Sequence, residues 1–161
     1  MPVGPYIGAQ FVATIYALVA WRWPRSARFI TAIGFIAAGC FNIWTALDSP
    51  SLYVSAFGPG ALPVYRDFIY GLFARHAASF VLAIASGQLA VGASIFGDLR
   101  WRKFGYIGAI VFLLAITPLG VGSAAPSTLI FAIGIALLLR SDLKRPAVAD
   151  DRQLASHQVA R

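Results

Sequence analysis

The side chains of this chain that can bind or titrate, and that stand apart from its arginine clusters, gather in residues 48–76. Arg66, Asp67, Tyr70, Arg75 and His76 form the candidate ligand-binding set. A guanidinium grips a carboxylate, a phosphate or a quinone oxygen with two parallel donors, which no ammonium reproduces. A neighbouring carboxylate balances that charge, a phenol adds a donor, and histidine changes charge between about pH 5 and 8. On one continuous helix Asp67, Gly71 and Arg75 share a face, with Gly71 leaving the space between them uncovered. His76 falls near the face of Tyr65 and Leu72. Two readings stay open. In one, Asp67 neutralises an arginine and the segment is an anchor among lipid headgroups. In the other, these residues line a small outward-facing pocket for an anionic or quinone-like lipophile.

Two amides lie deeper in apolar runs, Asn42 and Gln88. Their expected role is helix packing, because an interhelical hydrogen bond in lipid contributes about 1 kcal/mol; a ligand contact is the alternative for Asn42, and Gln88 faces either another helix or a cavity. Other chemistries lack their residues. No catalytic constellation is present: there is no Gly-x-Ser-x-Gly elbow and no glutamate. Gly120-Val121-Gly122 lacks the third glycine of a dinucleotide fingerprint. A single cysteine, Cys40, excludes a Cys-x-x-Cys pair and a cysteine metal site. The two histidines are far apart in sequence and no acidic cluster suits a hard cation, so no metal is expected. No span carries the carboxylate of a typical proton-coupled transporter.

The elements that position these residues are membrane helices. Hydrophobic residues make up 59% of the 161 and charged ones 12%, against roughly 25% charged in a soluble domain. Residues 104–139 carry no charge and are flanked by Arg100, Arg102 and Lys103 before, and by Arg140, Lys144 and Arg145 after. As one helix that run would reach roughly 54 Å, against a hydrocarbon core of about 30 Å. Basic flanks at both ends belong on one side, so the run is a helical hairpin. Its turn holds Pro118, Gly120, Gly122 and Pro126.

The expected fold is all-α, a polytopic transmembrane bundle of one domain over residues 1–145. Five spans lie at about 6–23, 29–47, 77–96, 104–117 and 126–139. Residues 48–76 form an outer loop with a re-entrant or interfacial segment rich in aromatics. Eleven of the thirteen basic residues sit in three short segments on the cytoplasmic side of this arrangement. The N-terminus is then outside and the C-terminus cytoplasmic, in a bacterial inner membrane. The net charge of +7 therefore serves orientation and anionic headgroups rather than nucleic acid. The uncharged residues 1–20 lack the positive n-region of a signal peptide. If the first run lies at the interface instead, four spans remain. The tail at 146–161 lacks periodic apolar residues and is expected to be disordered.

Small residues mark the packing faces. Ala27, Thr31, Gly34, Ala38, Asn42 and Thr45 recur at helical spacing in the second span. Ser79, Ala83, Ser86, Ala90, Ser94 and Gly97 do so in the third. These two stripes are expected to face each other.

Asn42, the run Ala61-Leu62-Pro63-Val64-Tyr65-Arg66-Asp67, Gln88-Leu89-Ala90-Val91-Gly92 and residues 112–120 together resemble a group of small, uncharacterised bacterial multi-pass membrane proteins. More distantly, residues 29–139, about two thirds of the chain, resemble the four-helix DoxX-like family in hydropathy and glycine spacing. That resemblance implies an accessory membrane subunit, associated in some members with quinone-linked complexes. Members often carry an acidic residue where Gln88 stands, and the N-terminal span is additional here. The expected function is a non-enzymatic accessory or interaction subunit, in a membrane enzyme complex or a homo-oligomer. The alternative is a redox-associated protein whose outer pocket holds a quinone or a lipid.

Overall fold

A computed structural model describes residues 3–144. The tail expected at 146–161 lies outside the described residues. Seven helices and no strand occur among those described: α1 Val3–Arg22, α2 Pro24–Asp48, α3 Ser51–Phe57, α4 Pro63–Phe68, α5 Ala77–Ile95, α6 Leu99–Ile116 and α7 Ser127–Leu143. Three apolar helical stretches are long enough to cross a membrane, namely Pro24–Asp48, Ala77–Ile95 and Leu99–Gly120.

The five long helices close into a ring in the order α1, α2, α5, α6, α7, with α7 returning to α1. Ring neighbours run antiparallel except α1 and α7, which lie parallel. The ends of α1, α5 and α7 and the starts of α2 and α6 therefore collect the basic clusters at one end. The basic turn expected at 22–28 is shorter than that. Only Trp23 separates α1 from α2, because Pro24 opens the second helix where its missing N–H has no bond to lose. Asp98 caps α6, its carboxylate accepting from the backbone N–H of Arg100 at 3.0 Å and of Trp101 at 3.1 Å.

α2 and α5 make the most extensive contact. They approach through Gly39, whose missing side chain leaves room for Leu89, and Gly92, which sits against Ile36 and the Ala32 carbonyl. The stripe expected on the third span is wrong. Ser79, Ala83, Ser86 and Ala90 face outward, and Ala77, Val81, Ala85, Gln88, Gly92 and Ile95 are the buried face. The reason is polar satisfaction. Ser86 donates to the Leu82 carbonyl of its own helix at 2.9 Å and can face lipid. Gln88 meets a partner only across the helix pair. On α2, Ala27, Thr31 and Thr45 are buried, whereas Gly34 is exposed with nothing beside it.

Tyr16 ties three helices together. Its ring edge occupies the space a side chain on Gly134 of α7 would take, and its hydroxyl shares a 2.6 Å hydrogen bond with Thr31 of α2. At the basic end Asp142 of α7 is buried, with its carboxylate 3.2 Å from Arg102 and 3.3 Å from the Tyr106 hydroxyl. This is the sole ion pair among the described residues.

The far end is capped. α3, a 3₁₀ turn at Gly58–Gly60, α4 and a widened π turn at Ile69–Phe73 form a lid over α2, α5 and α6. The hairpin turn joins it, for the Leu62 N–H donates to the Pro118 carbonyl at 3.0 Å. Gly120 there has φ 64°, and a side chain would strike the Gly60 carbonyl, so this turn requires glycine.

Candidate ligand-binding cavity

The lid does not hold the expected set together. The π turn makes an i→i+5 bond from the Ala74 N–H to the Ile69 carbonyl, and the extra residue carries Arg75 out of the i, i+4, i+8 register with Asp67 and Gly71. Asp67 pairs with no arginine. Arg66 turns instead toward the carbonyls of Ala61 at 3.3 Å and Pro59 at 3.5 Å. All five residues are exposed. Tyr70, Arg75 and His76 line a shallow cleft of about 840 Å³ between the lid and the start of α5, and Arg66 and Asp67 lie outside it.

A second cavity, of about 590 Å³, lies beneath the lid and is bounded by α2, α5, α6 and the hairpin turn. None of the five lines it, while Asn42 and Gln88 do. Its walls are aromatic and aliphatic. Phe68 meets Phe80 edge-on with centroids 5.5 Å apart, and Phe73 lies 5.7 Å from the same ring. Tyr65, Phe57 and Phe112 add further rings, and Ile84, Ile116 and Leu119 complete the lining. No lining residue is charged.

The sequence builds these walls by spacing. Phe80, Ile84 and Gln88 recur every four residues on α5, so one helix face carries ring, aliphatic and amide in order along the cavity. The lid contributes its inward aromatics where the π turn rotates Ile69 and Phe73 into the core, both of them buried.

Three of the polar lining residues form one chain. The Tyr53 hydroxyl donates to Asn42 Oδ1 at 2.6 Å, and Asn42 Nδ2 donates to Gln88 Oε1 at 2.7 Å. Burial raises the Tyr53 phenol above its ordinary pKa, with the Thr45 hydroxyl opposing. Both acceptor positions are thus taken. Gln88 is 5% exposed, yet its Nε2 donates to no protein group among the described residues. An amide with two N–H bonds and a satisfied oxygen therefore stands at the edge of an apolar space.

No nucleophile–base pair lines the cavity, and no three His, Cys, Asp or Glu side chains gather among the described residues. What the space provides is a ring-faced, uncharged, half-open cavity whose polar lining residues are Asn42, Tyr53, Tyr65, Gln88 and Ser123. Of the two alternatives for Gln88, another helix or a cavity, the structure gives both: its oxygen meets Asn42 of α2 and its side chain lines the cavity. The signal for the cavity was its position one turn beyond Ile84 and two beyond Phe80, on a helix whose next polar groups satisfy themselves. Comparison of the chain with protein-family models, with curated proteins and with solved structures finds no match.

Proposed function

We propose that this chain is a multi-pass protein of a bacterial inner membrane that holds a lipophilic small molecule, a quinone or a lipid, in the cavity beneath its lid. It acts as a binding or accessory component and performs no reaction of its own. The observation that carries this reading is the uncharged aromatic cavity with the Tyr53–Asn42–Gln88 chain at its edge. At about 590 Å³ it falls within the roughly 300–1,000 Å³ common for small-molecule sites.

In this reading all five long helices cross the bilayer. Support comes from α1, which follows α7 in parallel from Tyr6 beside Ala125 to Tyr16 beside Gly134. A helix lying in the interface would cross α7 rather than follow it. The basic end is cytoplasmic by the positive-inside rule, so the lid and the N-terminus lie outside. The DoxX-like resemblance of residues 29–139 points to the same kind of membrane component.

A second reading is an accessory subunit whose outer surface docks a membrane enzyme or a second copy. It draws on exposed apolar residues, among them Phe11, Ile15 and Leu18 on α1 and Ile33, Phe41 and Trp44 on α2. Such faces suit lipid tails equally well. Purification in mild detergent with mass spectrometry of extracted lipophiles and proteins separates the two. A lipophile retained near one per chain, and lost when Ile84→Trp fills the cavity, is the expected result. A stoichiometric protein partner without any lipophile would replace the cavity reading with the docking one.

A further inference from the structure

We infer that the cavity selects a neutral, ring-bearing lipophile through a hydrogen bond from Gln88 Nε2 to an oxygen acceptor on the ligand. The inference rests on the lipophile-binding reading above and names the ligand class of that site.

Three observations converge. First, Gln88 is nearly fully buried on the cavity wall, and its N–H donors lack a protein partner among the described residues. Nε2 itself is not sealed off but opens on the cavity, where a ligand carbonyl or ether oxygen can accept from it. Second, the amide is held in a chain. The Tyr53 hydroxyl donates to Asn42 Oδ1 and Asn42 Nδ2 donates to Gln88 Oε1, an arrangement that uses both amide oxygens and leaves Gln88 Nε2 for a ligand. The Tyr53 hydroxyl thus acts as a positioning group two bonds from the ligand. Third, no cation lines the cavity. An anionic head would enter an apolar space with neutral donors only and no counter-charge, which opposes binding. Arg66, Arg75 and His76, the cationic or titratable groups of the lid, lie on its exposed side.

The rings of Phe68, Phe73, Phe80 and Phe112 favour a flat ligand body over a flexible chain, because aromatic faces and edges pack against a ring with little ordering cost.

The test uses the full chain in nanodiscs and equilibrium dialysis, subtracting uptake by protein-free nanodiscs. Four probes separate the contributions: 2-acetylnaphthalene, 2-ethylnaphthalene, 2-naphthoate and methyl laurate. The expected order places the ketone up to about tenfold above the hydrocarbon, as one net hydrogen bond allows. The naphthoate and methyl laurate bind more weakly than the ketone. Gln88→Leu should bring the ketone down to the hydrocarbon, leaving the hydrocarbon itself unchanged. Tyr53→Phe, which keeps the ring, should lower the ketone by a smaller factor. Unchanged hydrocarbon uptake shows that each variant still forms the cavity. Equal uptake of ketone and hydrocarbon, or a ketone preference surviving Gln88→Leu, overturns the inference and leaves the lipophile reading standing. Preferred naphthoate overturns neutral selection, and preferred methyl laurate overturns the ring. Absence of protein-dependent uptake of every probe overturns both the inference and the reading beneath it.

Discussion

Adding one methyl group at Gly92 tests the helix contact on which the cavity depends. A Cβ there would lie 2.6 Å from Ile36 Cγ1, 2.9 Å from the Ala32 carbonyl oxygen and 3.1 Å from the Ile36 nitrogen, where ordinary contact begins at 3.4 Å. Ile36 can turn its side chain, but the Ala32 oxygen belongs to the α2 backbone. The helices must then separate locally by roughly half an ångström, an overpacking cost of about 1–3 kcal/mol. Alanine returns up to about 1 kcal/mol of helix propensity, so Gly92→Ala alone understates the clash. Gly87 removes that ambiguity. It lies on the same helix with nothing within 4 Å of its added Cβ, so Gly87→Ala gains propensity without a clash. The difference between the two variants isolates the contact and should reach about 1–3 kcal/mol in reversible unfolding from detergent micelles. If Gly92→Ala proves as stable as Gly87→Ala, α2 and α5 do not meet along this seam.

Single cysteines in a Cys40→Ser background report the orientation: Ser123→Cys should label from outside and Ser141→Cys only after permeabilisation, and labelling from the same side breaks the hairpin. Arg66→Lys with Arg75→Lys should change stability by less than about 0.5 kcal/mol, since Arg66 makes only two long bonds to carbonyls and Arg75 lies exposed; a loss of bound lipophile on this double change would return the site to the outer cleft. Asp142→Asn leaves the Arg102 charge without its partner, and Arg102 is one-fifth exposed. The cost should therefore fall below the about 3–5 kcal/mol of a fully buried pair, with a coupling energy to Arg102→Gln of at least about 0.5 kcal/mol in a double-mutant cycle. Additive effects would show that the pair contributes nothing.

The helices were legible because apolar length and basic punctuation are local signals. The hairpin break came from Pro118 and Gly120, and the start of α5 from the charges and histidine that precede it. Faces were harder. Two stripes of small or buried residues run along α5 at helical spacing, and composition alone does not choose between them. The structure chooses the stripe containing Gln88, because an amide in lipid needs a partner on another helix while serine hydroxyls bond to their own. The lid failed for a different reason. Its five charged, phenolic and imidazole side chains looked convergent on an ideal helix, and the π turn at Ile69–Phe73 removed that premise. Asp142 was overlooked because it follows Arg140 in a basic stretch, where its burial against Tyr106 and Arg102 depends on contacts 36 and 40 residues away.

The N-terminal helix belongs to the cavity as well as to the ring. Ala124 lines the cavity through the hairpin turn, and its carbonyl accepts from Gln10 Nε2 of α1 at 3.0 Å. The next carbonyl, Ala125, accepts from the Tyr6 hydroxyl at 2.7 Å. Both bonds fall at or beside Ala124, whose positive φ of 57° costs free energy in a residue other than glycine unless neighbouring contacts hold it. One rim of the cavity is therefore fixed by a helix that contributes no lining side chain. Gly120 also lies against Gly60 of the lid, so the same turn joins α1 to the segment that covers the site. A four-helix bundle without α1 would keep the aromatic walls and the Gln88 amide but lose the clamp on that rim. The additional helix thus supplements a turn that partly satisfies itself: the Ala124 carbonyl also accepts from the Ser127 N–H and hydroxyl, whereas among the described residues the Ala125 carbonyl accepts from Tyr6 alone.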